Sequence, residues 1–146
     1  MAKSKAFAHE LLQHVLNNRC IANLGDMDGL LPSQFAGSLY LSLHYANPIE
    51  ASNAVYESNY LGYKRSAVAR DGKCWQVTEN VAMLCKDVNF SAIEETQDNK
   101  MLNWLAIGSR SFGNGLLFWS CQLETPIKVI AGVIPRIKAG TKIVEN

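Results

Sequence analysis

His9-Glu10-Leu11-Leu12-Gln13-His14 sets two histidines and a carboxylate on one short stretch, the residue types from which a helical zinc site is built. The spacing defeats that chemistry. A helix turns ~100° per residue, so histidines five apart stand about 140° apart around its axis; the four-residue spacing of a zinc helix leaves about 40°. Two partly exposed helical histidines are expected instead. Ser42 and His44 sit on one face of a strand, a nucleophile and a base by type. Acyl transfer would also need an orienting acid and an oxyanion hole, which no neighbouring residue marks, so both are expected to face solvent. Gly113-Asn114-Gly115 joins two strands and opens no helix, so it lacks the N–H groups and dipole that hold a phosphate. Glu57, Glu94, Glu95 and Asp98 form no pair spaced for acid–base work and read as solvated loop residues. Cys20, Cys74, Cys85 and Cys121 contain no C-x-x-C pair. Zinc knuckles need closely spaced ligands, so the four are expected as reduced, buried or half-buried apolar residues. No catalytic, cofactor-binding or metal-ligating residue is expected, and the chain reads as not an enzyme.

The aromatic residues suggest binding instead. Tyr40, Tyr45, Tyr56, Tyr60 and Tyr63, all five tyrosines of the chain, fall in less than a fifth of its length. Tyrosine joins apolar area to a polar tip and is favoured at interfaces. Along 115–121, Leu117, Trp119 and Cys121 alternate with Leu116, Phe118 and Ser120, so the strand is apolar on both faces and asks for cover on both. A neighbouring subunit or the N-terminal helix could provide it. The expected partner-facing residues are Phe7, Leu11, Val15, Tyr45, Tyr56, Tyr60, Tyr63 and Trp119.

The elements that hold these residues follow from pattern. Ser4 can cap a helix over which Phe7, Leu11, Leu12, Val15 and Leu16 recur at helical spacing, with stops at Asn17-Asn18; Phe7, Leu11 and Val15 are expected to dock it. Residues 23–36 carry the turn pairs Gly25-Asp26, Asp28-Gly29 and Pro32-Ser33 and read as loop. After Gly37 the pattern is β, with strands expected at 38–44, 62–69, 73–78, 80–85, 87–91, 101–108, 115–123, 127–131 and 133–138. Asp71-Gly72 reads as a hairpin turn, and Asn114-Gly115 is the sharpest turn signal. Residues 46–61 and 92–100 read as exposed loops. Short strands between Gly/Asn/Asp/Pro turns predict a mainly β chain, a two-sheet β-sandwich of jelly-roll or Greek-key kind with one N-terminal amphipathic helix. The organisation expected is a single domain over 1–146, with the helix in 1–20 and the sandwich in 37–146.

Composition narrows the partners. The chain has 146 residues, 48% hydrophobic and 18% charged, which suits a folded body with its own core. Its net charge of +1 gives no field for a polyanion, and the basic residues are scattered, so no direct nucleic-acid contact is expected. Met1–Glu10 has a charged start but no apolar stretch, so no signal peptide is expected, and no run is long enough for a membrane helix. Folding in a reducing cytoplasm follows as the expectation.

Several of these stretches resemble one family. Leu43-His44-Tyr45-Ala46-Asn47-Pro48 is similar to an LHTADP-like strand end, and Gly62-Tyr63-Lys64-Arg65-Ser66-Ala67-Val68 to a GYARxAV-like strand. Leu11–Leu16 matches an LLNHVL-like helix end, Trp75-Gln76-Val77 a Trp-bearing strand, and Leu102–Gly108 an xxHFGIG-like strand with Trp104 at the usual histidine. Gly115–Pro126 matches a GxLLxxGxLxxPxxV-like hairpin arm. Together they resemble a family of small bacteriophage virion structural proteins, often labelled tail-fibre or virion proteins. Tyr45 in place of a small polar residue, the four cysteines and a more charged middle depart from the pattern. The resemblance implies a non-enzymatic virion protein made in the host bacterial cytoplasm, its partners the major capsid protein of a phage and copies of itself. A capsid decoration or cement role is the leading expectation. A tail or tail-fibre adaptor bound to tail proteins is the alternative, and a small sandwich-fold hydrolase is a third reading from another class.

Overall fold

Ser4 starts the one helix found among the described residues. Its backbone is extended and its Oγ accepts the Phe7 N–H at 3.2 Å, satisfying a donor that a helix start leaves without an intrahelical partner. Helix α1 runs Lys5–Asn17 and ends where Asn18 turns left-handed at φ 53°, a conformation asparagine accepts better than most residues. The computed structural model describes residues 1–48, 52 and 54–146. Ile49, Glu50, Ala51 and Asn53, part of the expected 46–61 loop, lie outside the described residues. No helix among those described is long and apolar enough to cross a membrane.

Nine strands follow in the described residues: β1 Ser38–His44, β2 Ser66–Ala69, β3 Trp75–Thr78, β4 Val81–Leu84, β5 Val88–Asn89, β6 Met101–Gly108, β7 Leu117–Lys128, β8 Arg136–Ile137 and β9 Lys142–Val144. Their sheets have the orders β2-β1-β6-β7, β3-β4-β9 and β5-β8. The chain is mainly β, with antiparallel sheets and one short N-terminal helix, the β-sandwich-like fold class that the alternation and turn chemistry predict.

Two compact units share the chain. The first takes Met1–Ser38, Ala69–Asp87 and Lys138–Asn146. Here α1 packs on β3 and β4 and buries Ala8, Leu12 and Leu16, with Trp75, Ala82 and Leu84 beneath. The docking stripe is thus one position on from the expected Phe7-Leu11-Val15 line: Phe7 is exposed, and Leu11 and Val15 are half-buried. Ala8 adds little hydrophobicity to a pattern, yet at 1% exposed it lies fully in the contact. Strand β9, unforeseen in the sequence, pairs Val81↔Val144 and Ala82↔Ile143, while Lys3 and Glu145 form an ion pair.

The second unit, Leu39–Val68 and Val88–Ile137, holds the four-stranded sheet apart from Ser38 and Ala69 at its margin. β1 and β6 pair from Tyr40↔Gly108 to His44↔Trp104. The Asp71-Gly72 turn does not join a paired hairpin, since β2 neighbours β1 and β3 neighbours β4. The Asp71 carboxylate instead accepts the N–H groups of Lys73 and Cys74 at 2.9 and 3.0 Å. The expected strands 115–123 and 127–131 are one strand, β7. Between Leu102↔Ile127 and Trp104↔Gln122, Asn103 alone faces Leu123-Glu124-Thr125-Pro126, an enlarged bulge that removes the need for a ladder N–H at Pro126. In the turn from β6 to β7 the left-handed residue is Gly113, φ 68°, one position before the expected Asn114-Gly115.

Candidate functional site

The second unit places its chemistry where β1 ends. Along this strand Leu41, Ser42, Leu43 and His44 are all buried, so Ser42 and His44 do not face solvent as expected. Two polar side chains can be buried there because each satisfies the other. His44 Nδ1 lies 2.7 Å from the Val55 carbonyl, which only accepts; Nδ1 therefore carries the proton, and Nε2 accepts from the Ser42 hydroxyl at 2.8 Å. Burial first of all pushes the His44 pKa below its ordinary value, against the Val55 bond and the Glu57 charge that raise it. The result is a neutral imidazole. Serine and histidine make a nucleophile–base contact, but both are fully buried and a carbonyl, rather than a carboxylate, orients the ring. The pair fastens the chain around Val55 to β1.

The neighbouring segment is fastened as firmly. Tyr45 N–H donates to the Tyr56 carbonyl at 2.9 Å and Ser58 N–H to the Leu43 carbonyl at 2.8 Å, extending the edge of β1 past its end. Glu57, expected as a solvated loop residue, is half-buried and accepts Arg65 Nε and Nη2, both at 2.6 Å. Arg65 also donates to the Arg110 and Gly113 carbonyls, both at 2.8 Å. One bidentate ion pair thus ties three chain segments together. Tyr63 donates its hydroxyl to Glu57 at 2.8 Å and accepts the Leu43 N–H at 3.2 Å. Burial, then the Glu57 charge, drives its pKa far above that of free tyrosine.

Tyr56 stands out from this network. Its backbone is left-handed, φ 53°, costly for a bulky side chain, and its side chain is 56% exposed. The hydrogen bonds of Val55, Tyr56, Glu57 and Ser58 hold it there from both sides.

The expected interface residues therefore separate. Tyr45, Tyr56, Tyr60, Tyr63 and Trp119 belong to the second unit; Phe7, Leu11 and Val15 belong to the first. Tyr60 is a core residue, 2% exposed, with its hydroxyl on the Ser91 carbonyl at 2.8 Å; burial, then Tyr45, raises its pKa to about 12. Tyr63 contacts Tyr60 edge-on at 5.2 Å between ring centroids and stacks on Phe90 at 6.4 Å. Tyr45 is half-buried, its hydroxyl on Asn59 and Gln97 at 2.9 and 3.2 Å and its ring under the Lys100 ammonium at 5.2 Å. Trp119 is half-buried on β7 opposite Ile107, while Ser120 and Cys121 beside it are exposed, so this chain by itself does not cover that strand on both faces. Cys20 is exposed too, Cys74 and Cys85 are half-buried, and all four thiols are free. His9 and His14 each bond a different carbonyl, of Glu79 at 3.0 Å and Arg19 at 2.6 Å.

No family model matches the chain. A search of curated proteins also gives no match.

Proposed function

We propose that this chain is a non-enzymatic structural protein of a bacteriophage virion, which decorates the capsid shell by bridging neighbouring coat subunits. The motif resemblance supports the particle. The observation that carries the mechanism is Tyr56, an exposed aromatic locked into a strained backbone by a buried network. A contact residue held in place before binding loses little freedom on binding, and interface energy concentrates in a few such anchors. The hydrolase reading is weakened by the Ser42–His44 pair, which is sealed from solvent. A tail location stays as the other arm of the test.

Purified protein added to shells that lack it should restore occupancy and heat resistance. Tyr56→Ala should weaken that association by ~1–3 kcal/mol, while Asp98→Ala, at an exposed position between the core residue Ile93 and β6, should leave it unchanged. Equal occupancy for both variants would take Tyr56 out of the interface. Parent protein that ignores shells but binds tails would move the whole role to the tail.

A further inference from the structure

The most exposed apolar stretch lies in the first unit, in the segment expected only as loop. From Ala22 to Gly37 every residue but Gly29 is exposed, among them Leu24, Met27, Leu30, Leu31 and Phe35, at 43–86% of their full exposure. The segment is nevertheless well fastened. Ile21 and Leu30 exchange both backbone hydrogen bonds at 2.9 Å, and the Asn18 side chain bonds both the N–H and the carbonyl of Ser33. Asp26 accepts the Gly29 N–H at 2.9 Å. Gly29 is left-handed, and a Cβ there would lie 2.0 Å from the Ile21 carbonyl oxygen, so only glycine closes this turn. Arg70 donates to the Val15 and His14 carbonyls at the end of α1 and to the Ala36 carbonyl, joining the loop's far end to the helix.

We infer that this loop is a self-association surface, docking against the same loop of a second copy of the chain about a two-fold axis. Area is the first argument. At about 150 Å² for a large side chain, the low end of the aromatic range, and weighted by exposure, the five residues present roughly 500 Å² of apolar surface. That is the size of a patch that is often functional, about 300–600 Å², and over half of the ~800 Å² that each partner gives to a stable interface. Charge is the second. Asp26 and Asp28 sit near the tip and Arg19 at the neck, all exposed. A two-fold axis across the loop sets each copy's acidic tip against the other's basic neck, so the self-pairing is complementary. The inference goes beyond the proposed role and is read on the purified chain alone, so its failure leaves coat binding standing.

Sedimentation equilibrium over a wide concentration range tests it. The parent should be a reversible dimer. Met27→Ser with Phe35→Ser should weaken the dimer roughly 30-fold or more with the circular dichroism and urea midpoint kept. Phe112→Ser, at a 72% exposed phenylalanine of the other unit, should leave it intact. Arg19→Asp should weaken the dimer at low salt, and adding Asp28→Arg should restore it. A parent that stays monomeric, a Met27/Phe35 double variant that pairs as the parent does, or a dimer lost with Phe112→Ser would each overturn the inference.

Discussion

The loop at 21–36 and the segment at 54–65 are both irregular stretches rich in turn residues, and they solve opposite problems. The first turns its apolar side chains outward and spends its hydrogen bonds on its own backbone and neck. The second turns charged and polar side chains inward, where Glu57, Arg65 and Tyr63 satisfy one another and the Val55 carbonyl takes the His44–Ser42 pair, and leaves Tyr56 and Leu61 outside. Composition alone would have exchanged them. A loop's polarity does not say which way it faces; the partners its polar groups find do.

The sharpest way to break the contrast is Arg65→Met. It leaves the Glu57 carboxylate half-buried without its cation, and removing one member of a buried pair typically costs about 3–5 kcal/mol. Urea unfolding monitored by near-ultraviolet circular dichroism should show that loss; a change under ~1 kcal/mol would mean the network is solvated and the two segments are alike.

Acid should act on the second segment through His44. Its folded pKa lies below the unfolded value because burial disfavours the imidazolium, so below about 6.5 the unfolded chain takes up the proton first. The stability from the neutral ring is complete above that pH and is lost as pH falls through the folded pKa. Unfolding free energy should therefore decline on acidification below about pH 6.5, and His44→Asn should flatten that decline. A slope unchanged in the variant would assign it to other groups.

Alkali probes the same network from the other side. Tyr60 and Tyr63 have raised pKa values, so the unfolded chain loses their protons first, and the stability they confer is full below about pH 10 and fades as pH rises. In a titration of tyrosinate absorbance, two of the five tyrosines should ionise only toward pH 12 and beyond, together with unfolding. Five equivalent tyrosines would contradict the burial of both rings.

The smallest effect is expected in the first loop. Phe35→Ser under dilute conditions should change stability by no more than about 0.5 kcal/mol, as for other exposed positions, although it acts on self-association. A cost of several kcal/mol would show that Phe35 is a core residue and that the loop is not a presented surface.

Much of the fold was legible because it is local. Ser4 announces the helix start, Asn18 its end, and the alternation over 38–44 marks β1. The phase of the helix was not, because Ala8 sits in the contact without strengthening any apolar periodicity. Strand β9 is three residues long and gains its meaning from β4, some sixty residues earlier, which no window of sequence contains. In the candidate site the tyrosine cluster was visible, but the division into core (Tyr60, Tyr63) and surface (Tyr56) was not. It depends on Glu57 meeting Arg65 and on His44 meeting Val55, pairings set by where two segments cross rather than by a repeating interval. The apolar residues of the 21–36 loop were in plain view, but turn chemistry said only that the chain bends there.

The placement of β9 also bears on the order in which the chain becomes structured during synthesis. Everything assigned to the second unit has been made by Ile137, whereas the sheet under α1 lacks a strand until Lys142–Val144 has emerged from the ribosome. Domains tend to fold as their residues are released, so the β3-β4 pair that α1 packs on stays two-stranded until β9 is released. During that interval the pair has only the Ala8-Leu12-Leu16 stripe of α1 to support it, where the finished unit also has β9 along β4. A chain ending at residue 138 should keep Tyr60 protected from solvent, while the Leu84 amide, which bonds the Thr141 carbonyl at 2.9 Å, opens to exchange.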